Sequence, residues 1–371
     1  MQSRAEVVAS SDAARRESAV PENTDYGRVR KIMRMDEQIP LFWHPLRTAG
    51  VLLWAVMPFA FMGFFFVLCT IRMLWVVIIP YLLWILMIDD APNIGKRRLQ
   101  WLRSSAPFRW MRSYFPISLV KSVDLDPNRS YLFAYHPHGI IGFGAVTSFA
   151  TEACGFGKMF PGITMHVLTL ASNFNMPLYR EILLGLGFCS VAKVACERIL
   201  RKGPGNAILI VVGGAQESLN SRPGELNLTL KRRFGFVRVA IRTGYVPHHA
   251  HHSSDLVPVL AFGENDIYMQ AENNSGSWLY WFQQKFKSIF MFTIPLIVGR
   301  GVMPQHYGIF PYMRPIHVVV GRPIQVPHLA NPKNEVVAEV HAQYIRALQG
   351  LYDEYKDIYA ADRISELRFS E

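Results

Sequence analysis

The sequence predicts an α/β protein in which a membrane-embedded pair of helices precedes one mixed-sheet domain with flanking helices. Three observations lead there. Short apolar runs ending in turn residues recur from about residue 130, with room for helices between them. Ala49–Ile71 and Met73–Ile88 are uncharged and apolar, and only Arg72 divides them. The chain has 371 residues, 50% of them hydrophobic, and a mean hydropathy of +0.14. That is enough for one large domain plus a membrane segment.

Residues 1–45 form a polar tail. The first forty lack apolar periodicity and any signal-peptide core, and read as disordered. Residues 46–90 follow as the hairpin. A bilayer span takes ~20 residues, so one span cannot absorb the whole apolar block, and a turn is expected near Cys69–Met73. A buried pair of core helices is the alternative. Basic residues flank both sides: Arg28, Arg30, Lys31, Arg34 and Arg47 before, Lys96, Arg97, Arg98, Arg103, Arg109 and Arg112 after. The positive-inside rule then places both termini in the cytosol, for a crossing hairpin and a re-entrant one alike.

Residues 91–350 read as one α/β domain. Tyr131–Tyr135, Ala207–Val212, Leu256–Phe262 and His317–Val320 are its expected buried strands. Val337, Val340, Tyr344, Leu348, Leu351 and Tyr355 lie at helical spacing and predict a closing amphipathic helix. Its end and a short tail fill 351–371. Within 277–312, Trp278, Tyr280, Trp281 and Phe282 beside Lys285 and Lys287 suit an interfacial segment or a lipid-accepting wall, and a core helix and strand equally.

The formal charge of +11 calls for an anionic partner. No zinc-finger spacing, RNP motif or basic heptad helix is present, so the bilayer is expected rather than nucleic acid. Cys69, Cys154, Cys189 and Cys196 form no metal or redox motif and read as reduced thiols. No metal is expected. His248, His249, His251 and His252 sit in a Pro- and Ser-flanked loop without helical framing.

The chemistry gathers at strand ends. His136 and His138 bracket Pro137 after the first strand, and Gly139 lets the chain turn. A histidine near neutral pKa can take a proton from an alcohol. After the second strand come Gly213, Gly214 and Glu217. Glu217 can orient or stabilise a base histidine, and the glycine amides can face an oxyanion. A plain strand-to-helix turn would look the same. Lys231–Ala240 places Arg233 among other cations beside Gly235, a pattern that suits phosphate or a solvated face. Val257–Asp266 ends a third strand with Glu264 and Asn265. No Gly-x-Ser-x-Gly elbow or P-loop occurs, and Gly139, Gly142 and Gly144 miss the dinucleotide pattern. No Ser or Cys stands beside an obvious partner, so no covalent intermediate is expected.

Five blocks then occur in order: Tyr114-Phe115-Pro116, His136-Pro137-His138-Gly139, Gly213-Gly214-Ala215-Gln216-Glu217, Arg233 through Ala240 with Gly235 and Phe236, and Val257 through Asp266. Together, over about residues 40–350, they resemble the type 2 diacylglycerol acyltransferases and their monoacylglycerol and wax-ester relatives. The resemblance implies an acyltransferase-like sheet and acyl transfer from acyl-CoA to diacylglycerol, with acyl-CoA a co-substrate and no cofactor. It implies an endoplasmic reticulum membrane with access to lipid droplets, and leaves a homo-oligomer open. By it, His138 is the base, His136 shapes the turn or shares the role, and Glu217 supports. Tyr114, Phe115, Pro116, Gly139, Gly213, Gly214, Arg233, Gly235, Phe236, Glu264 and Asn265 contact substrate. Two other classes stay open: a metal-dependent hydrolase using His136 and His138, and a lipid-binding membrane protein without catalysis.

Overall fold

A computed structural model of the chain describes residues 44–243, 254–270, 297–301 and 307–371, together with Trp281 and Lys285. The polar tail to residue 43, the His248–His252 cluster and most of the 277–312 stretch lie outside the described residues.

The strands run in chain order: β1 (Ser118–Lys121), β2 (Tyr131–His136), β3 (Thr164–Thr169), β4 (Cys189–Ser190), β5 (Asn206–Val211), β6 (Asn227–Thr229), β7 (Asp255–Phe262), β8 (Met269–Gln270), β9 (Ile297–Arg300), β10 (Tyr307–Gly308), β11 (His317–Val320) and β12 (Arg368–Ser370). Seven form the central sheet, ordered β1-β11-β7-β2-β5-β3-β4. From β7 to β4 all neighbours are parallel, while β11 is antiparallel to β7 and carries β1 with it. Every residue of β2 and β7 is buried, which is why their sequences are continuous apolar runs rather than alternations. Tyr135 lies opposite both Val211 and Val259, so the chain leaves β7, β2 and β5 at one common edge. That edge receives the second, third and fifth sequence blocks.

The helices that bear on function are α1 (His44–Thr70), α2 (Trp75–Leu83), α3 (Ala106–Tyr114), α4 (Gly214–Leu219), α5 (Gly235–Arg242) and α6 (Asn334–Tyr359). The sheet separates two apolar cores. One joins Phe133, Tyr135, Phe143 and Phe149 to Val51 and Met57 of α1. The other joins Leu132, Ala134 and Leu256 to Val237 of α5 and to α6. Of the helically spaced residues expected on α6, Val337, Val340, Tyr344, Leu348 and Leu351 are buried and Tyr355 is partly so. The helix continues unbroken past residue 350, and β12 beyond it pairs with β6.

From Pro45 to Thr70, α1 is long and apolar enough to cross a membrane, and only 22% of its most apolar window is buried. The helix breaks at Ile71, inside the expected turn, and a 3-10 turn leads into α2 and a π-helical turn over Trp84–Ile88. Phe59 is 78% exposed and Met73 87%, which does not fit the alternative of buried core helices. A polar latch holds the far end. Asp89 accepts from Arg97 at 2.6 Å and Arg180 at 2.5 Å, and both guanidinium groups lie over Trp84.

The near end is held by packing. A Cβ on Gly50 would lie 2.6 Å from the Pro107 carbonyl oxygen and 2.9 Å from the Met111 nitrogen, both on α3. Gly50→Leu should therefore pry α1 from α3 and cost about 1–3 kcal/mol. Thermal unfolding of the purified protein in detergent reads this as a lower Tm, and an unchanged Tm would show that the contact is slack.

Candidate active site

The two histidines that β2 delivers part company. His136 is fully buried, and its Nε2 donates to the Tyr344 hydroxyl at 3.1 Å. That hydroxyl in turn donates to the Ala134 carbonyl at 3.1 Å, which leaves it only an acceptor for the ring. Burial lowers the His136 pKa to about 3 and keeps it neutral. His138 retains partial exposure. Its Nδ1 is 3.0 Å from the Gly139 carbonyl and 2.7 Å from Ser218 Oγ, and Nε2 has no hydrogen-bond partner among the described residues. The rings thus face different partners, and among the described residues no three His, Cys, Asp or Glu side chains converge on a metal position.

Glu217 on α4 is only 2% exposed. Its carboxylate accepts the His138 backbone N–H at 2.8 Å and the Thr229 N–H at 3.1 Å. The carboxylate expected at the imidazole therefore grips the loop backbone instead, and it is Ser218 that touches the ring. Burial raises the Glu217 pKa to about 7, against those two N–H groups and the Arg233 charge. Thr229 belongs to β6, which β12 braces: the Leu230 and Lys231 N–H groups donate to the Ser370 carbonyl at 3.2 and 3.1 Å.

Gly213 packs so closely on Glu217 that a Cβ there would run into the carboxylate. Gly214 has φ +60° with open space where a Cβ would stand. Arg233 donates to the Gly213 carbonyl at 3.3 Å. Beside it lies a groove of about 560 Å³ lined by Lys193, Arg232, Arg233, Arg238 and Arg242, with Phe234 among its apolar walls. Gly235 opens α5 on this groove, and Phe236 lines it while packing edge-on against Tyr344, ring centroids 5.0 Å apart.

The remaining expected residues make their contacts around the edge and elsewhere in the fold. Tyr114 and Phe115 have no exposed surface. The Tyr114 hydroxyl donates to Pro311 and accepts from Arg300 at 2.9 Å, and Phe115 lies 4.7 Å from the Phe143 ring. Pro116 is exposed. Asn265 joins Ser221 at 2.7 Å to the Glu225 carbonyl at 2.9 Å. Glu264 accepts from the Tyr135 hydroxyl at 3.0 Å and the Gly144 N–H at 2.9 Å, and a Cβ on Gly139 would sit 2.7 Å from its Cγ.

A partly exposed histidine whose Nε2 is open among the described residues, together with a cation-lined groove and a largely exposed apolar helix on the same sheet, makes up the candidate site of an enzyme. The chain belongs to the diacylglycerol acyltransferase family, whose model (diacylglycerol acyltransferase) matches residues 65–370. It is 49% identical over 330 residues to diacylglycerol O-acyltransferase 2A of Umbelopsis ramanniana, covering 88% of this chain and 90% of that one. It is 47% identical over 342 residues to diacylglycerol O-acyltransferase 1 of Schizosaccharomyces pombe, covering 92% and 93%. To human diacylglycerol O-acyltransferase 2 it is 42% identical over 319 residues, covering 84% and 79%. A solved 1-acyl-sn-glycerophosphate acyltransferase from Thermotoga maritima overlaps at a TM-score of 0.34 with 12% identity, covering 80% of this chain and 97% of that one.

The setting of Glu264 gives a pH prediction. Burial raises its pKa from 4.5 to about 7. A raised folded pKa contributes stability that is complete below 4.5 and is lost as pH rises through about 7. Glu264→Gln keeps the neutral shape, so its Tm should match wild type near pH 5 and exceed it near pH 8. Parallel Tm-against-pH curves would refute this assignment.

Proposed function

We propose that His138 is the general base with which this diacylglycerol acyltransferase moves an acyl group from acyl-CoA to the free hydroxyl of diacylglycerol. The observation that carries the reading is that His138, unlike His136, keeps its Nε2 without a hydrogen-bond partner among the described residues, on a partly exposed ring at the sheet edge. Nε2 takes the hydroxyl proton as the oxygen attacks the thioester carbonyl. The tetrahedral intermediate collapses with cleavage of the C–S bond, and the protonated imidazole returns its proton to the departing thiolate. One positioned base supplies ~10²–10⁴-fold, and holding the two substrates together adds to it. No covalent enzyme intermediate is needed, because the thioester is already activated.

Glu217 supports this by fixing the His138 backbone, and His136 shapes the turn from within the core. The backbone at Gly214, with open space beside it on the helix that carries Ser218 to His138, is the candidate oxyanion donor. Arg233 and the other cations of the groove hold the coenzyme A phosphates. The groove lies over the second core, whereas α1 packs into the first. Acyl-CoA then approaches from water on one side, diacylglycerol from lipid on the other, and His138 stands at the rim between them. In this reading α1 and the segment Trp75–Ile88 form the membrane hairpin, with both termini cytosolic and the enzyme on endoplasmic reticulum and lipid droplets. Glycan at the exposed Asn128 would overturn that orientation.

Membranes lacking their own triacylglycerol synthesis provide the test. Labelled acyl-CoA is supplied with diacylglycerol, monoacylglycerol or fatty alcohol. Wild type should label triacylglycerol, and His138→Ala should lose at least a hundredfold while remaining inserted. Retained activity in that variant would remove His138 as base, and label in another ester would change the acceptor alone. Arg238→Ala should raise KM for acyl-CoA roughly tenfold with kcat nearly kept, as loss of one charged hydrogen bond predicts. A fall in kcat at unchanged KM would move coenzyme A elsewhere.

A further inference from the structure

Ser218 follows Glu217 on α4 and is 3% exposed. Its Oγ approaches His138 Nδ1 at 2.7 Å, and its carbonyl accepts from the Gln270 side-chain amide. The same Nδ1 faces the Gly139 carbonyl at 3.0 Å. A carbonyl oxygen can only accept, so the proton of the neutral ring belongs on Nδ1. The lone pair is then on Nε2. We propose that Ser218 is a positioning residue which, with the Gly139 carbonyl, grips the Nδ1–H of His138 and turns its Nε2 lone pair toward the acceptor hydroxyl. The assignment rests on His138 being the base.

Chemistry separates this from a serine nucleophile. A nucleophilic Ser218 would need a neighbouring base to take its proton, and an Nδ1 that already carries hydrogen cannot do so. Its hydroxyl also sits behind the ring, buried, on the side away from the open nitrogen. As His138 becomes an imidazolium, the Nδ1–H bond to Ser218 strengthens, because a charged donor bonds more strongly than a neutral one. Ser218 thus favours the protonated base as well as fixing its direction.

The charged and titratable groups around His138 come from each packed element. His136 of β2 is held neutral, Glu217 of α4 reaches the backbone N–H, Arg233 lies beyond Gly213, and Glu264 lies under Gly139. None of them contacts Nδ1 by hydrogen bond, so a change at Ser218 reads out on the ring itself.

The test compares wild type, Ser218→Ala, Ser218→Thr and His138→Ala in detergent-purified form, with acyl-CoA and diacylglycerol. Ser218→Ala should lower kcat roughly tenfold, the worth of one hydrogen bond, with both KM values within about twofold. The acid limb of its kcat/KM profile should move to lower pH, since the imidazolium has lost an acceptor. Ser218→Thr restores the hydroxyl and should recover both rate and limb. Should Ser218→Ala fail to accumulate, Ser218→Cys, with its weaker acceptor, should give an intermediate rate and limb. A wild-type kcat and unmoved limb in Ser218→Ala, with His138→Ala inactive, would overturn the role of Ser218 and leave the base standing. A limb moved to higher pH would mean that the hydroxyl donates to Nδ1. Label retained on Ser218 after labelled acyl-CoA without acceptor would make it a nucleophile. Activity in His138→Ala would instead remove the base on which the proposal rests.

Discussion

Glu217 has to satisfy two backbone N–H groups, one from the turn after β2 and one from β6, while almost sealed from water. One oxygen holds the turn after β2, the other holds β6. Removing either oxygen would strand a donor at a cost of about 1–3 kcal/mol and release the segment that the oxygen holds. Much of the surrounding structure follows from accommodating that carboxyl group. Residue 213 must lack a side chain, Arg233 must sit near enough to offset the charge, and β6 needs β12 to keep its register. Even Ser218 meets His138 because the short helix bearing Glu217 turns about 100° per residue and presents the next side chain to the ring.

The sheet works as a partition. Its two faces differ in what they carry, one a long and largely exposed apolar helix and the other a groove lined with cations. Between them runs an edge where three neighbouring parallel strands end together. Tyr344 and Glu264 stiffen this edge from opposite faces, the first through His136 and Ala134, the second through Tyr135 and Gly144. Tyr344 has its partners in place deep in a core, which favours a single arrangement over many, whereas Glu264 engages through Oε2 and its Oε1 has no hydrogen-bond partner among the described residues.

Much of this was legible in the sequence. The four expected strands are present because strands buried on both faces cannot hide their continuous apolar runs. The helix from Asn334 shows its buried stripe equally plainly. The short strands β3 and β4 were less visible, because polar residues such as His166 and Ser190 interrupt them. The reversed direction of β11 leaves no trace in composition. At the site, spacing brought His138, Glu217 and Arg233 to one edge but could not say which atom meets which. Side-chain direction in the first turn of a short helix is set by packing, so Glu217 took the backbone and Ser218 the ring. Likewise Tyr114, Phe115, Glu264 and Asn265 carry family motifs, and the contacts they make run to other parts of the fold.

The supports of the site also have an order in time. Tyr344 and Ser370, which hold the His136 turn and β6, are made long after α1. At ~5–20 residues per second, a ribosome needs roughly 15–60 s to pass from Thr70 to Ser370. Through that interval the nascent chain can already have its apolar helix in lipid while its histidine turn still lacks a brace. The apolar helix is therefore complete long before the turn that depends on Tyr344 is braced.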